Sequence, residues 1–457
     1  MRVRHLLLML LLFCLNGIPG QAQWMEIGSG ISATPRLIFS ISVVNEDVVW
    51  AVPLNSSSFT ANFEFTRTTN SGESWNAGML PNVGNYYPGN IFALDENMAW
   101  VIMINIPQQD RIKILKTENG GATWQQQAGE FNNAGHAFGA LHFFNADEGI
   151  GFGSPGTGNP AIDSIQIFRT NDGGEHWGRI PSEELPAPLP EEGVWLYSGN
   201  CSYDAKGDTL WFVTRAGRVF RTTDKGVSWE AFSTGITGSS AAPGLTSIAF
   251  ENSLNGIAVT MQPNQAARTT DGGLTWHQIA VLPVPKLAAI EYIPGTEDTY
   301  VVSDGWQFNG GANYLLITED GGDSWDFMAY PPSMVCIQFI SPTVGYGGGA
   351  NFSAGKALVY KWTGDFSDPT TNGLEVLKPE NTFEFSPNPA AHFLNVGLPE
   401  ASSHAFVFQV FDAQGKMALQ QMIQNGEQIE VRSLPPGMYW AKAVADGVVY
   451  TGKFVKR

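Results

Sequence analysis

Seven short stretches of the chain alternate between a small or polar residue and a mostly branched, apolar one. They are centred on Ser40-Ile41, Asn90-Ile91, Ala140-Leu141, Asn200-Cys201, Ser247-Ile248, Ala289-Ile290 and Cys336-Ile337. A period of two belongs to a strand whose successive side chains point to opposite faces. Because the polar phase is also small, the pattern predicts strands crowded against a narrow space. Helical patterning is slight throughout, so the chain is expected to be all-β.

Six of these stretches lead into one eight-residue sentence. TTNSGESW ends at Trp75, TENGGATW at Trp124, TNDGGEHW at Trp177, TTDKGVSW at Trp229, TTDGGLTW at Trp276 and TEDGGDSW at Trp325. The tryptophans are spaced by 49, 53, 52, 47 and 49 residues. A repeat near 50 residues without helices predicts a β-propeller, with one four-stranded blade per repeat. Each sentence has its own local chemistry. Asn70, Asn119, Asp172, Asp224, Asp271 and Asp320 can accept backbone N–H groups and hold a tight turn. The glycine that follows supplies a positive φ, and the closing tryptophan is a large apolar plug between sheets.

These sentences resemble Asp-box motifs, the bacterial neuraminidase repeats of sialidases, sortilin-type receptors, some glucanases and photosystem II assembly factors. The resemblance implies that each box is the turn between the third and fourth strands of a blade, away from the functional face. It is specific for fold and poor for function, so the boxes are expected to be fasteners. The seventh repeat ends in KALVYKW (356–362) without a box, while Trp24-Met25-Glu26-Ile27 resembles the strand after each box. The expectation is seven blades, with Trp24–Gly30 supplying the missing outer strand and closing the ring, which removes exposed sheet edges.

After Trp362 a polar linker, 364–379, separates the propeller, 23–363, from a last region, 380–457. That region has short alternating strands such as AFVFQVFD and QIEVRSL, with turn signals at DAQGK and PPG, and predicts a small antiparallel β-sandwich. It resembles the type A C-terminal sorting domain of the type IX secretion system. The matching residues are Ser386-Pro387-Asn388-Pro389, Leu394-Asn395-Val396, Phe411-Asp412 through Gly415-Lys416, Leu434 through Tyr439, and Gly452 through Lys456. The opening aromatic, Phe385, departs from the commoner tyrosine. The resemblance implies that the secretion machinery is a partner through 380–457. It also implies passage through the periplasm to the surface of a Gram-negative cell or beyond.

The first 22 residues agree with that route: Arg2 and Arg4, an apolar run from Leu6 to Leu15, and small residues before a cut after Ala22 read as a signal peptide. A lipoprotein reading at Cys14 fits less well, since Phe13 stands where a small residue is wanted. No later run reaches 18 apolar residues, so no membrane span is expected. The formal charge of −18 lies mostly before Glu380 and argues against nucleic acid as a partner. Cys201 and Cys336 are expected on opposite sides of the channel and unpaired. No Cys/His cluster has metal-ligand spacing, and no phosphate loop or nucleophile triad appears, so no metal or cofactor is expected.

The connections on the face opposite the boxes carry the candidate ligand contacts Tyr86, Tyr87, His136, Trp195, Tyr197, Trp306 and Phe308, with Glu191 and Glu192 nearby. Arg36, Arg111 and Arg215 fall near the same face, whereas Arg67, Arg169, Arg221 and Arg268 merely precede boxes. Aromatic faces with scattered polar groups suit a glycan or a protein segment, and the same aromatics can equally pack their own loops. A sialidase would need an arginine cluster, a Tyr–Glu pair and an acid. The family's Phe-Arg-Ile-Pro element is absent, with TPRLIF around Arg36 only an echo, and sialidases have six blades rather than seven. The sequence therefore favours a non-catalytic binding or scaffold module, with a sialidase-like or related glycoside hydrolase as the alternative.

Overall fold

The structure is a computed structural model. It describes residues 24–31, 35–55, 63–105, 111–129, 131, 139–154, 165–190, 192–194, 202–236, 245–260, 265–279, 289–303, 315–328, 334–351, 358–367, 383–398, 406–411, 417–445 and 448–457. Antiparallel four-stranded blades follow one another along the chain. Blade five is typical: Leu245–Phe250, Gly256–Thr260, Ala266–Thr269 and His277–Ile279 pair in order. Ser182–Glu184 form a single helical turn between blades three and four.

Blade seven consists of Met334–Ser341, Val344–Asn351 and Val359–Trp362, completed by the N-terminal strand Trp24–Glu26. Trp24 pairs with Trp362 and Glu26 with Tyr360, so the two ends of the propeller share one sheet. The indole of Trp24 also packs edge-on against Trp362 and Phe339. Closure by the strand Trp24–Glu26 and the count of seven blades both follow. Phe366 stacks on Trp362 at 4.5 Å, so propeller packing reaches into the stretch read as linker.

The innermost strand of each blade explains the polar phase of the alternation. In blade one, Ser40 Oγ accepts the Ile91 N–H of blade two at 3.1 Å and Ser42 Oγ accepts that of Ala93 at 3.0 Å. Asn90 reaches Leu141, Asp204 reaches Phe250, Ser247 reaches Ile290, and Glu291 reaches Phe339, each on the next blade. Gln338 of blade seven returns to Val43 of blade one at 2.9 Å. These side chains satisfy inner-strand N–H groups that no ladder reaches, and they tie the blades in sequence. Smallness matters less than an acceptor within reach of the neighbour.

One expected strand is placed differently. The inner strand of blade four is Tyr203–Lys206, and Ser202-Tyr203 stands where blade three has Ala140-Leu141, judged from the ladders leading to Thr222 and Thr170. Asn200-Cys201 was therefore read two residues early, and those two residues lie outside the described ones. Cys336 is a buried free thiol whose Sγ lies 3.6 Å from the Ile38 carbonyl oxygen.

The C-terminal region is a sandwich of two antiparallel sheets. One holds Glu384–Ser386, Phe393–Gly397 and Glu427–Glu430; the other orders Met417–Ile423, Phe406–Phe411, Gly437–Ala445 and Val448–Lys456. Their shared core includes Leu394, Val396, Phe408, Val410, Tyr439 and Phe454. Phe385 joins it through ring contacts with Phe383, Phe408 and Phe454, so phenylalanine fills the place of the commoner tyrosine.

Candidate functional site

The boxes use their polar groups on themselves. In blade five, Thr269 Oγ1 donates to Asp271 Oδ1 at 2.8 Å and accepts the Gly273 N–H at 2.9 Å. Asp271 accepts the Thr275 N–H and the Thr275 hydroxyl. The other five boxes repeat the same threonine and Asn/Asp bonds. Burial works against ionisation of Asp271, but the bonds from Thr275 and Thr269 outweigh it and hold the carboxyl at about 2. Trp124, Trp177, Trp229 and Trp276 are buried, while Trp75 and Trp325 are partly so.

The arginines before the boxes reach forward to the next blade. Arg169 donates to the Lys225 carbonyl, Arg221 to that of Gly272 and Arg268 to that of Gly321. Tryptophans on second strands do likewise: Trp100 Nε1 donates to the Gly173 carbonyl and Trp211 Nε1 to that of Gly272, at 3.2 and 2.8 Å. In the third box the imidazole of His176 replaces the hydroxyl, with Nδ1 2.7 Å from Asp172 Oδ2. Asp172, Glu175 and His176 there bring one ligand atom each within 4.8 Å of one another, the described group that could hold a metal ion.

Strand order puts the candidate ligand contacts on the opposite face. Arg36 and Tyr86 begin innermost strands, while Arg111 and Arg215 stand in connections between second and third strands. The candidates His136, Trp195, Tyr197, Trp306 and Phe308, with Glu191, lie outside the described residues. Tyr87 is buried against Phe39 and Leu54, so its ring belongs to the packing of this rim. Tyr86 is half-buried and carries Lys113 Nζ 4.8 Å from its ring centre.

Two arginine–carboxylate pairs organise the described part of the face. Arg36 Nε donates to Glu64 Oε2 at 2.5 Å within blade one. In blade four the wholly buried side chain of Glu192 takes Arg218 Nε at 2.9 Å and the Thr214 hydroxyl at 3.0 Å, with Arg218 Nη2 also against it. Glu192 thereby clamps the connection after blade three onto blade four. Ser154 and Val194 exchange two more bonds along the same seam. Arg215 sits beside them: its N–H donates to the Gly193 carbonyl at 2.7 Å. A side chain at Gly193 would meet the Arg215 guanidinium at 2.6 Å, so glycine is what admits it. Sequence reasoning missed Arg218, whose signal was its place at the start of a strand facing Glu192.

A third group lies in the channel. Asp204, Glu291, His142 and Gln338 occupy equivalent innermost-strand positions. Burial pushes Glu291 up to about 8, with the nearby charge of Asp204 adding to the effect and Lys206 opposing it. Burial likewise pushes His142 down to about 3, and its ring contacts are Phe92, Phe144 and Tyr203.

Fold and motifs together define the class: a secreted BNR-type β-propeller with a C-terminal sorting domain of the type IX secretion system. Residues 385–457 match the secretion system C-terminal sorting domain, and residues 92–243 match the photosynthesis system II assembly factor YCF48. The chain is 30% identical over 125 residues to the chloroplastic photosystem II stability/assembly factor HCF136 of Oryza sativa subsp. japonica. That match covers 26% of this chain and 25% of that protein, so the chain spans about a quarter of the plant relatives' length. It is 24% identical over 253 residues to the photosystem II assembly lipoprotein Ycf48 of a Synechococcus species, covering 47% and 68% of the two chains. Among solved structures, YCF48 bound to D1 peptide superposes with a TM-score of 0.52 at 16% identity, covering 75% of this chain and 98% of that one. That likeness is one of fold. The sorting domain marks the chain for export to the cell surface or the extracellular space. No described helix is long and apolar enough to cross a membrane.

Proposed function

We propose that the propeller is a non-catalytic binding module displayed outside the cell, and that it holds an extended segment of another protein across the face opposite the boxes. The carrying observation is the division of labour between the two faces. The box face spends its hydrogen-bonding groups on fastening, while the other carries, among the described residues, Arg36, Arg111, Arg215 and Tyr86. A peptide ligand is favoured over a glycan because a propeller of the same fold is described as bound to a peptide. The glycoside hydrolase alternative needs two carboxylates free to act on a glycosidic bond. Glu64 and Glu192 on the described part of this face are each held by an arginine instead.

The test is to screen the purified protein in parallel against a peptide array, a glycan array and chromogenic glycosides. Saturable peptide binding that Arg215→Ala weakens supports the reading. Turnover of a glycoside, or glycan binding without peptide binding, refutes it.

A further inference from the structure

Each sheet of the sorting sandwich has an outer face, and that of the four-stranded sheet carries an apolar patch. The three-stranded sheet covers the inward side of the four-stranded sheet, where Tyr439, Ala441, Ala443 and Phe454 are buried. The alternate residues of the same strands point the other way and stay exposed: Met438 at 50%, Trp440 at 52% and Val455 at 40%. Register brings them together, since Met438 pairs with Val455, and Trp440 with both Lys453 and Phe411. Among the described residues, four of the eleven exposed large hydrophobics, Met422, Met438, Trp440 and Val455, belong to this one sheet, a concentration that marks an interaction surface.

The patch also has a charge. Lys453 Nζ lies 5.6 Å from the Trp440 ring centre, and Lys442 follows on the same strand face. Among the described residues of that face there is no carboxylate. An apolar centre of tryptophan and methionine, rimmed by lysines, is the composition of a protein-binding hot spot and suits a partner with an apolar pocket in an acidic rim.

We infer that this outer face, centred on Trp440 and Met438 with Lys453 beside them, is the surface by which an acidic, apolar-pocketed component of the secretion machinery reads the domain. This rests on the sorting reading of 385–457 and adds which side of the sandwich is read. The outer face of the three-stranded sheet is exposed too, but among the described residues it offers one large apolar side chain, Phe393, with Arg432 over its ring and the carboxylate of Glu430 nearby, where the four-stranded face groups tryptophan, methionine and valine beside lysines.

The experiment expresses the full chain in a Gram-negative host with this secretion system and compares periplasm, cell surface and medium. Trp440→Glu is expected to cut export at least tenfold, with intact chain accumulating in the periplasm, while Trp440→Phe exports normally. Deletion of 437–457 tests the address itself. If the deletion is retained but Trp440→Glu exports normally, the face is refuted and the address stands; if both export normally, the address falls too. Circular dichroism of the purified chain guards against a misfolded variant. Should Trp440→Glu misfold, Lys453→Glu replaces it, with a several-fold export loss expected and normal export refuting the face. Two further outcomes also refute it: a wild-type dimer that Trp440→Glu dissociates without affecting export, and binding to phosphatidylglycerol vesicles lost under the same condition.

Discussion

Glu291→Gln isolates the electrostatics of the propeller channel. Glu291 accepts the Phe339 N–H, the inner bond between blades six and seven, and lies in the field of Asp204. Burial, reinforced by Asp204, raises its folded pKa from 4.5 to about 8. A carboxyl with a raised folded pKa costs nothing below its unfolded pKa, where both states are protonated. As pH climbs from about 4.5 to about 8 the unfolded chain ionises first, so stability falls through that window and levels off above it. At pH 7 the cost is about 3 kcal/mol, reduced by whatever water the channel admits. Glutamine keeps an acceptor for Phe339 and removes the proton. The variant should match the wild type at pH 4.5 and exceed it increasingly up to pH 8, by roughly 4 °C in Tm at pH 7 for a propeller of this size. Urea or thermal unfolding at five pH values from 4.5 to 8.5 provides the assay. Parallel curves, or a variant less stable at pH 8, would refute the reasoning. Asp204→Asn should reproduce part of the gain.

Three further outcomes follow from the fasteners and the core. Trp276→Ala should lower stability by about 3–5 kcal/mol in urea unfolding, as loss of a large buried aromatic does, with ligand binding per folded molecule unchanged. Thr269→Val strands the Gly273 N–H, whose acceptor is the Thr269 hydroxyl, and should cost about 1–3 kcal/mol in the same measurement. Burial pushes the Cys336 thiol up to about 12, so iodoacetamide at pH 8 should leave it unmodified in the native chain and modify it after denaturation. A Cys201–Cys336 cross-linked peptide in the unreduced digest would contradict the separation expected of the two thiols.

The boxes were legible because their chemistry is local. Thr269, Asp271, Gly273 and Thr275 make their bonds within six residues of one another, so the sentence itself states the turn. Closure was legible for a related reason: Trp24 repeats the strand that follows every box, and its partner Trp362 ends the one repeat that lacks it. What the pattern could not show was position along a strand. A slip of two residues preserves a period of two, so Asn200-Cys201 and Ser202-Tyr203 are equally good matches to the alternation. Only the ladder through Leu210 to Thr222 separates them. The face opposite the boxes was less legible still. The clamp of Glu192 on Arg218 spans 26 residues, from the connection after blade three to the third strand of blade four, and no repeat carries it.

The inner strands show why the fold repeats so well while the residues at its centre do not. At one innermost position blades one, four, six and seven present Ser42, Asp204, Glu291 and Gln338, four different side chains that each accept the same N–H of the next blade. Blade two has Phe92 at that position and blade five has Ala249, and the ring closes regardless because Asn90 and Ser247, two residues earlier, make the parallel bond. In six blades an oxygen at one of these two positions makes the link, which serine, asparagine, aspartate, glutamate and glutamine all supply; blade three, with Ala140 and His142 there, is tied instead by the Tyr203 hydroxyl donating to the Leu141 carbonyl. Charge at those positions is thus not demanded by the fastening. Where Asp204 and Glu291 bring it into the channel, a neutral amide would hold the blades equally well. Glu291, its pKa held up by burial, is thus the inner-strand acceptor whose replacement by glutamine should stabilise the ring at neutral pH without loosening it.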